Sequence, residues 1–418
     1  SLLFSPHSLP SLSSHAVVFL LMNEEAGTTT GGTTAPDERQ QEDSRQKEKR
    51  IQKYVTFKEG KTFGKWSVVK KIDEGGFGKV YLMEIKGKDI RAALKAEPNE
   101  VEGGSAIKLE LQVLRAINPK GDKPHIPQVY HAAKRKRFCY MIMTLLGENF
   151  KALRNKMERY DGSWPTLSVS TWTRLGIQCL YALKVVHDNG YLHRDIKPNN
   201  FVMGNPVDSE RFRIVFILDF GLSRSYAFKS KDGSGKWTMR LARATAEFRG
   251  TARYCSPNVH DKMEQGRRDD IWSLFYVLIE LHCGLPWQDV REKDKIEYVK
   301  CHYRDDHLMQ NMPRELRGVI PALRKLDCYG RPDYASIHQA LVAVMKRYKV
   351  GYDDLYDWER DSDLKVLKAS KKPPWYTPEE FFKSDPIGIN SGPASAERVS
   401  QDTAEAKTIG TIEHTKGD

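Results

Sequence analysis

The 418-residue chain is 39% hydrophobic, 29% charged and 10% aromatic, with 67 Lys+Arg against 55 Asp+Glu. That balance excludes a wholly disordered chain, and the length can bury a core without disulfide or metal staples. No apolar run approaches the roughly 20 residues of a membrane span. The six cysteines (Cys139, Cys179, Cys255, Cys283, Cys301, Cys328) form no CxxC pair, so zinc and redox motifs are not expected and a reducing, intracellular setting is.

Charge is uneven along the chain. Residues 1–62 hold eight basic and eight acidic side chains, and residues 349–418 hold ten and fourteen. The stretch between them carries 49 basic against 33 acidic. A basic body points to an anionic partner, or only to a solvated surface rich in lysine.

The chain starts at Ser1, and its apolar run at Ala16–Met22 has no Lys or Arg before it, so a secretory signal is not expected. Residues 1–21 are read as non-native upstream sequence, with Met22 as the start. Polar, low-complexity sequence then predicts disorder through residue 62. Short strands are predicted at Trp66–Ile72, Lys79–Ile85 and Ile90–Ala96, separated by glycine-containing turns. A helix follows at Ser105–Ile117, where Ile107, Leu111 and Leu114 recur at helical spacing. Strands are expected at Gln128–Ala133 and Phe138–Thr144.

Beyond residue 146 the pattern is mainly helical. Ser170–Asn189 places Leu175, Cys179, Leu183 and Val186 on one face, and Gly190 closes it. Arg213–Leu218 reads as a strand, and Ile271–Cys283 is apolar nearly all round, as in a helix buried mid-domain. Helices are predicted at Lys293–Tyr303, Glu315–Leu326 and Tyr334–Tyr348. Tyr352, Tyr356 and Trp358 can still pack on the body, and the rest of 349–418 is expected to be a mostly disordered tail. The fold class is α+β: a small β-rich lobe (63–145) followed by a larger helical lobe (146–348).

Two motifs carry the chemistry. His193-Arg194-Asp195-Ile196-Lys197-Pro198-Asn199-Asn200 lies just past a helix end, and Asp219-Phe220-Gly221 starts 24 residues after Asp195. In that order, on loop and strand ends, they are a specific pair. Over roughly residues 64–348 the chain resembles the eukaryotic protein kinases. The resemblance implies two lobes with ATP bound at the hinge between them. It implies that Asp195 orients a substrate hydroxyl and accepts its proton, and that Lys197 reaches the transferring phosphate. Asn200 and Asp219 would hold Mg²⁺ through oxygen.

Upstream, Ala92-Ala93-Leu94-Lys95 is similar to the third-strand motif of that family. Lys95 would bind the α- and β-phosphates and Glu110 would fix Lys95. In Ile72–Val80 the glycine loop keeps Gly75 and Gly78, with Gly76 beside them, but Asp73 stands where a first glycine belongs. Reduced nucleotide affinity is the expected consequence. Val80 and Ala93 would join the nucleotide site, Met143 would be the gatekeeper, and the backbone near Leu146 would bond adenine.

The family's usual APE motif is absent. Arg249-Gly250-Thr251-Ala252-Arg253-Tyr254-Cys255-Ser256-Pro257-Asn258 and Arg267-Arg268-Asp269-Asp270 instead resemble the casein kinase 1 group, with Pro257 a departure. The wording around Arg249–Tyr254, Leu285–Trp287 and Tyr356–Glu359 is most similar to its tau-tubulin kinase-like branch. Asp270 would brace the catalytic loop. Residues 222–253 carry eight basic side chains against Asp232 and Glu247, which favours acidic or already phosphorylated protein substrates. Arg253 resembles an anion-binding arginine of the group.

The expected function is therefore a serine/threonine protein kinase using ATP and Mg²⁺, monomeric and cytoplasmic, with a nuclear setting compatible. No nucleic-acid or membrane partner is expected. The alternative is a pseudokinase scaffold, motivated by Asp73 and by the tails; a nucleic-acid binder rests on charge alone.

Overall fold

The computed structural model of the chain describes residues 53–75, 78–100, 105–157, 164–230, 234–360 and 378–392. Strands β1 (Thr62–Phe63), β2 (Trp66–Gly75), β3 (Gly78–Glu84), β4 (Arg91–Pro98), β5 (Val129–Lys134) and β6 (Phe138–Thr144) form one antiparallel sheet, in the order β1-β2-β3-β4-β6-β5. Alternate residues of a strand face opposite sides, and β4 uses both. Ala92, Leu94 and Ala96 are fully buried in a core with Val55, Phe63, Trp66, Tyr81, Tyr140 and Ile142. Ala93, Lys95 and Glu97 face the other way, opposite Met143, Met141 and Cys139 of β6.

Helix α1 (Ala106–Ile117) packs beside that second face. Its start is local chemistry: the Ser105 side chain accepts the Lys108 N–H, satisfying a donor that the first turn leaves free. Its apolar stripe, Ile107, Val113, Leu114 and Ile117, is buried.

The strand β7 (Leu146–Asn149) and helix α2 (Phe150–Asn155) lead into the larger lobe. There α3 (Val169–Asp188) is buried almost throughout and packs on α5 (Arg267–His282) and α9 (Tyr334–Arg347). Between α3 and α5 lie β8 (Tyr191–Leu192), β9 (Phe201–Gly204), β10 (Val215–Ile217), β11 (Arg224–Ser225), β12 (Ala227–Lys229), β13 (Trp237–Met239) and α4 (Pro257–His260). These strands pair as β10-β9-β7, β11-β8 and β12-β13. Helices α6 (Lys293–His302), α7 (Asp305–Leu308) and α8 (Val319–Arg324) follow α5. Gly190, expected to close α3, does so with φ of 81°, and a Cβ there would lie 2.4 Å from the Ala227 oxygen.

The single helix expected over 315–326 is broken. A 3-10 turn at Arg314–Leu316 precedes α8, with Gly318 between them. A continuous helix would put Pro321 in its interior, where the ring meets the carbonyl four residues back; starting at Val319 leaves Pro321 in the first turn, where it is tolerated.

Two stretches expected outside the body belong to it. Residues 53–62 enter the small lobe, where Val55 is fully buried and its carbonyl accepts the Tyr81 hydroxyl at 2.7 Å. The Phe57 ring lies 5.0–5.2 Å from those of Phe63, Tyr81 and Phe138. Scattered among Lys and Glu, these apolar residues form no periodic run, which hides them from pattern reading. At the other end, helix α10 (Glu379–Lys383) lies in the expected tail, yet Phe382 is fully buried. The Tyr356–Glu359 segment also docks: Tyr356 sits between the guanidiniums of Arg174 and Arg213, at 4.3 and 4.5 Å. The expectations for 1–52, 361–377 and 393–418, and for Gly76, Lys231 and Asp232, lie outside the described residues. No helix among the described residues is long and apolar enough to cross a membrane.

Candidate active site

Lys95 on β4 and Glu110 on α1 meet as the resemblance implies, Nζ to Oε2 at 2.6 Å. A second carboxylate, Asp219 Oδ1, lies 3.4 Å from the same Nζ. Burial opposes the Lys95 charge, but Glu110 and Asp219 outweigh it and raise its pKa. Burial also opposes ionisation of Asp219, where Lys95, His193 and Lys197 prevail and lower the pKa. Val80 pairs with Lys95, and Ala93 with Met143, so these four side chains share one sheet face. Leu146 opens β7, with one residue between it and the end of β6.

Of the glycine loop, Asp73, Gly75 and Gly78 are among the described residues. Gly75 and Gly78 pair to close the β2–β3 turn. Gly78 has φ of 142°, and a Cβ there would stand 2.1 Å from the Ala96 oxygen, so no other residue fits. The Asp73 carboxylate accepts the next backbone N–H, that of Glu74, at 2.8 Å.

The catalytic loop runs between β8 and β9. Lys197 Nζ lies 2.5 Å from Asp195 Oδ2, and the Thr251 hydroxyl donates to Asp195 Oδ1 at 2.6 Å. The Asn200 amide donates to the Asp195 carbonyl at 2.8 Å, which turns the Asn200 side-chain oxygen away from that bond. With the Asp219 carboxylate it supplies a pair of hard oxygen donors, the set a magnesium ion takes.

Behind the loop, Asp270 of α5 accepts the N–H groups of His193 (2.7 Å) and Arg194 (2.8 Å) and His187 Nε2 (2.9 Å). Burial resists the Asp270 charge, yet the His187 hydrogen bond and its neighbours hold its pKa low. The brace supports a strained backbone, since Arg194 has φ of 68°. Asp219 shares that φ, and the fully buried Phe220 packs on His193 with centroids 5.0 Å apart.

Beside the loop lies a small recess lined by residues that include Arg224, Arg240, Glu264 and Tyr329. Arg243 grips Glu264 with two bonds of 2.6 and 2.9 Å, and Arg224 lies 3.8 Å from it. Burial, then Arg224 and Arg243, lower the pKa of Arg194 to about 10. Arg253, the residue singled out for anions, lies elsewhere. Its guanidinium is 3.7 Å from the buried Glu280, which also takes Arg154 at 3.1 Å and the Tyr254 hydroxyl at 2.8 Å.

Four residues gain roles that sequence reasoning did not assign. Thr251 lies inside the quoted Arg249–Asn258 motif, and its contact with Asp195 spans 56 residues. Arg194, within the catalytic motif, donates to the Leu222 carbonyl at 2.7 Å and lies within the field of Arg224, Arg243 and Glu264. Glu97 is wholly buried and accepts the Ile107 N–H at 3.1 Å, tying the start of α1 to the strand that carries Lys95. Lys300 of α6 is buried under the Arg249–Asn258 segment, donating to the carbonyls of Ala252 (2.7 Å) and Cys255. Nothing in local pattern marks the last two.

Residues 66–342 match the family model of the protein kinase domain. The chain is 41% identical to a Caenorhabditis elegans protein named an inactive tau-tubulin kinase, over 69% of this chain and 98% of that protein. Another protein of that nematode, provisionally named a serine/threonine-protein kinase, is 40% identical over 76% of this chain and 88% of its own length. A third, provisionally named a casein kinase I, is 33% identical over 75% and 88%. These names fall where the Arg249–Asn258 and Arg267–Asp270 motifs point.

Proposed function

The chain belongs to the protein kinase family, and from that premise we propose an active serine/threonine kinase of the casein kinase 1 group. Its substrates are acidic or already phosphorylated proteins, and the group transferred is the γ-phosphoryl of ATP. The observation that carries this reading is a pair of bonded sets, Lys95 with Glu110 and Asp219, and Asp195 with Lys197 and Asn200, each held by contacts of 2.5–3.4 Å, with the Lys197 charge acting on Asp219 between them.

Thr251 donates to the Asp195 carboxylate as a substrate hydroxyl would. Asp195 takes the proton of that hydroxyl as its oxygen bonds to phosphorus and the bond to ADP breaks. Lys197, beside Asp195, offsets charge on the transferring group, and Lys95, fixed by Glu110, holds the phosphates in line. Asn200 and Asp219 would hold Mg²⁺, which when bound neutralises phosphate charge.

Substrate preference follows from the arginine recess more than from Arg253. Arg194, Arg224, Arg240 and Arg243 lie around one carboxylate, Glu264, which favours a phosphate or an acidic side chain. A cytoplasmic monomer completes the proposal.

A scaffold without catalysis is the second reading, favoured by Asp73 and by the inactive relative's name. Against it stand the two intact sets. The deciding experiment follows Mg²⁺-dependent transfer from ATP to casein and to an acidic peptide. Asp195→Asn is expected to lower kcat by roughly 10²–10⁴-fold with ATP binding kept. Nucleotide binding without transfer in the parent chain would favour the scaffold.

A further inference from the structure

Residues 378–392 run from the base of the large lobe to the activation segment. At the start, Phe381 stacks on Tyr181 with centroids 3.9 Å apart, and Phe382 stacks on His338 at 4.6 Å. Lys184 of α3, with no exposed side-chain surface, lies 4.4 Å from the Phe381 centroid and donates to Asp188 (2.5 Å) and Ser384 Oγ (3.1 Å). Arg331 donates to the Ser384 carbonyl at 2.8 Å. Asp385 then closes a turn by accepting the Gly388 N–H and the Asn390 amide, each at 3.1 Å.

That turn delivers Ile387, 7% exposed, into a small cluster whose other buried members are Leu192, Tyr226, Ala227 and Met239. Leu192 directly precedes the catalytic loop; the other three belong to the activation segment. Arg267, the first residue of α5, clamps the same junction. Its guanidinium donates to Asn390 Oδ1 (3.0 Å) and the Tyr329 carbonyl (2.7 Å), and lies 5.0 Å from the Tyr226 centroid.

The activation segment is also tied to the large lobe by polar contacts: the Tyr226 hydroxyl donates to the His187 carbonyl at 2.7 Å, and the Ala242 N–H to the Tyr329 hydroxyl at 2.8 Å. β11 pairs with β8, but β12 and β13, three residues each, pair only with one another, and an isolated two-stranded ribbon of that size is not stable in water. Four buried apolar side chains from the segment and β8, flanked by Trp237, Tyr329 and Ile389, make the cluster that Ile387 completes. We propose that residues 378–392 act as an intramolecular clamp that positions the activation segment for substrate, with Ile387 as the positioning residue. This inference rests on the kinase reading above only for its catalytic consequence.

The test uses the full chain with Ile387→Asp, and Ile387→Leu as the conservative partner. Hydrogen exchange of the amides between 224 and 242 is measured beside phosphate transfer. Ile387→Asp is expected to speed exchange in that segment at least about tenfold. It is expected to lower kcat by about tenfold with the KM for ATP unchanged, while Ile387→Leu behaves as the parent. A synthetic peptide spanning 378–392, supplied at about millimolar concentration to match a tethered segment, should restore protection and rate to Ile387→Asp.

Unchanged exchange and rate in Ile387→Asp would overturn the clamp, as would a faster enzyme, which would make the segment inhibitory. Should Ile387→Asp unfold globally, Asn390→Ala, which removes the bond from Arg267 and the one to Asp385, takes its place; parent-like exchange there also overturns the proposal. Because exchange needs no catalysis, a parent chain that transfers no phosphate sinks the kinase reading while the exchange comparison still decides the clamp.

Discussion

The catalytic loop and the arginine recess beside it are built on opposite terms. His193, Asp195 and Asn200 are at most 6% exposed, and Asp270 ties the loop backbone to the most buried helix of the large lobe. In the recess, the Arg224 and Arg243 side chains are 23% and 36% exposed and share one carboxylate, Glu264. The catalytic loop is thus held from the core, whereas the arginines of the proposed recognition site are partly exposed and held by one shared carboxylate. Exposed charges are screened by salt and cost little to exchange. For the kinase proposed above, substrate preference is the part expected to change with single substitutions without loss of fold.

The strongest way to break this contrast is Asp270→Ala. It leaves two backbone N–H groups and a histidine without their acceptor, each costing about 1–3 kcal/mol. We expect about 3–5 kcal/mol of lost stability in urea unfolding, together with a fall in kcat of about a hundredfold. A variant within about 1 kcal/mol of the parent would mean that the loop is not held from the core.

A smaller effect sharpens the other side. Arg224→Ala should raise KM for an acidic peptide by roughly tenfold, the value of one charge-assisted contact, and leave a neutral peptide unchanged. The difference should shrink at high salt. Arg253→Ala should cost less on the acidic peptide, because Glu280 already balances it. Equal losses for both variants would remove the recess as the recognition element.

The smallest effect is a pH dependence beneath the Arg249–Asn258 segment. Burial lowers the Lys300 pKa from its ordinary 10.5 to about 8, against a smaller upward pull from Cys255. Below about pH 8 both folded and unfolded chains hold this proton, and the burial cost is present in full. Between about 8 and 10.5 the folded chain releases it first, so stability rises with pH. The Tm of the parent should therefore climb relative to Lys300→Met between pH 8 and 10. Parallel Tm curves would show that Lys300 does not titrate there.

Much of the fold was legible in the chain alone. Helix α1 begins where Ser105 can cap it, and α5 was marked by an apolar run with no polar face. The motif pair at His193–Asn200 and Asp219–Gly221 placed Asp195, Asn200 and Asp219, since each role needs a fixed residue type at a fixed spacing. Val55, Phe57, Phe382 and Ile387 were not legible. Each is an apolar residue in polar company, and its burial depends on a surface formed by residues distant in sequence.

By itself, then, the sequence determined what is local or motif-borne: helix caps, buried helices, the pair Lys95 and Glu110, and the catalytic loop. The tertiary structure alone decided that Arg253 leans on Glu280, that Arg224 and Arg243 share Glu264, and that residues 378–392 return to cover Leu192 and Tyr226. The physical reason is range. Caps and periodicity act within a few residues, whereas the balance of charge and the closing of an apolar cluster depend on which distant side chains folding brings within a few ångströms.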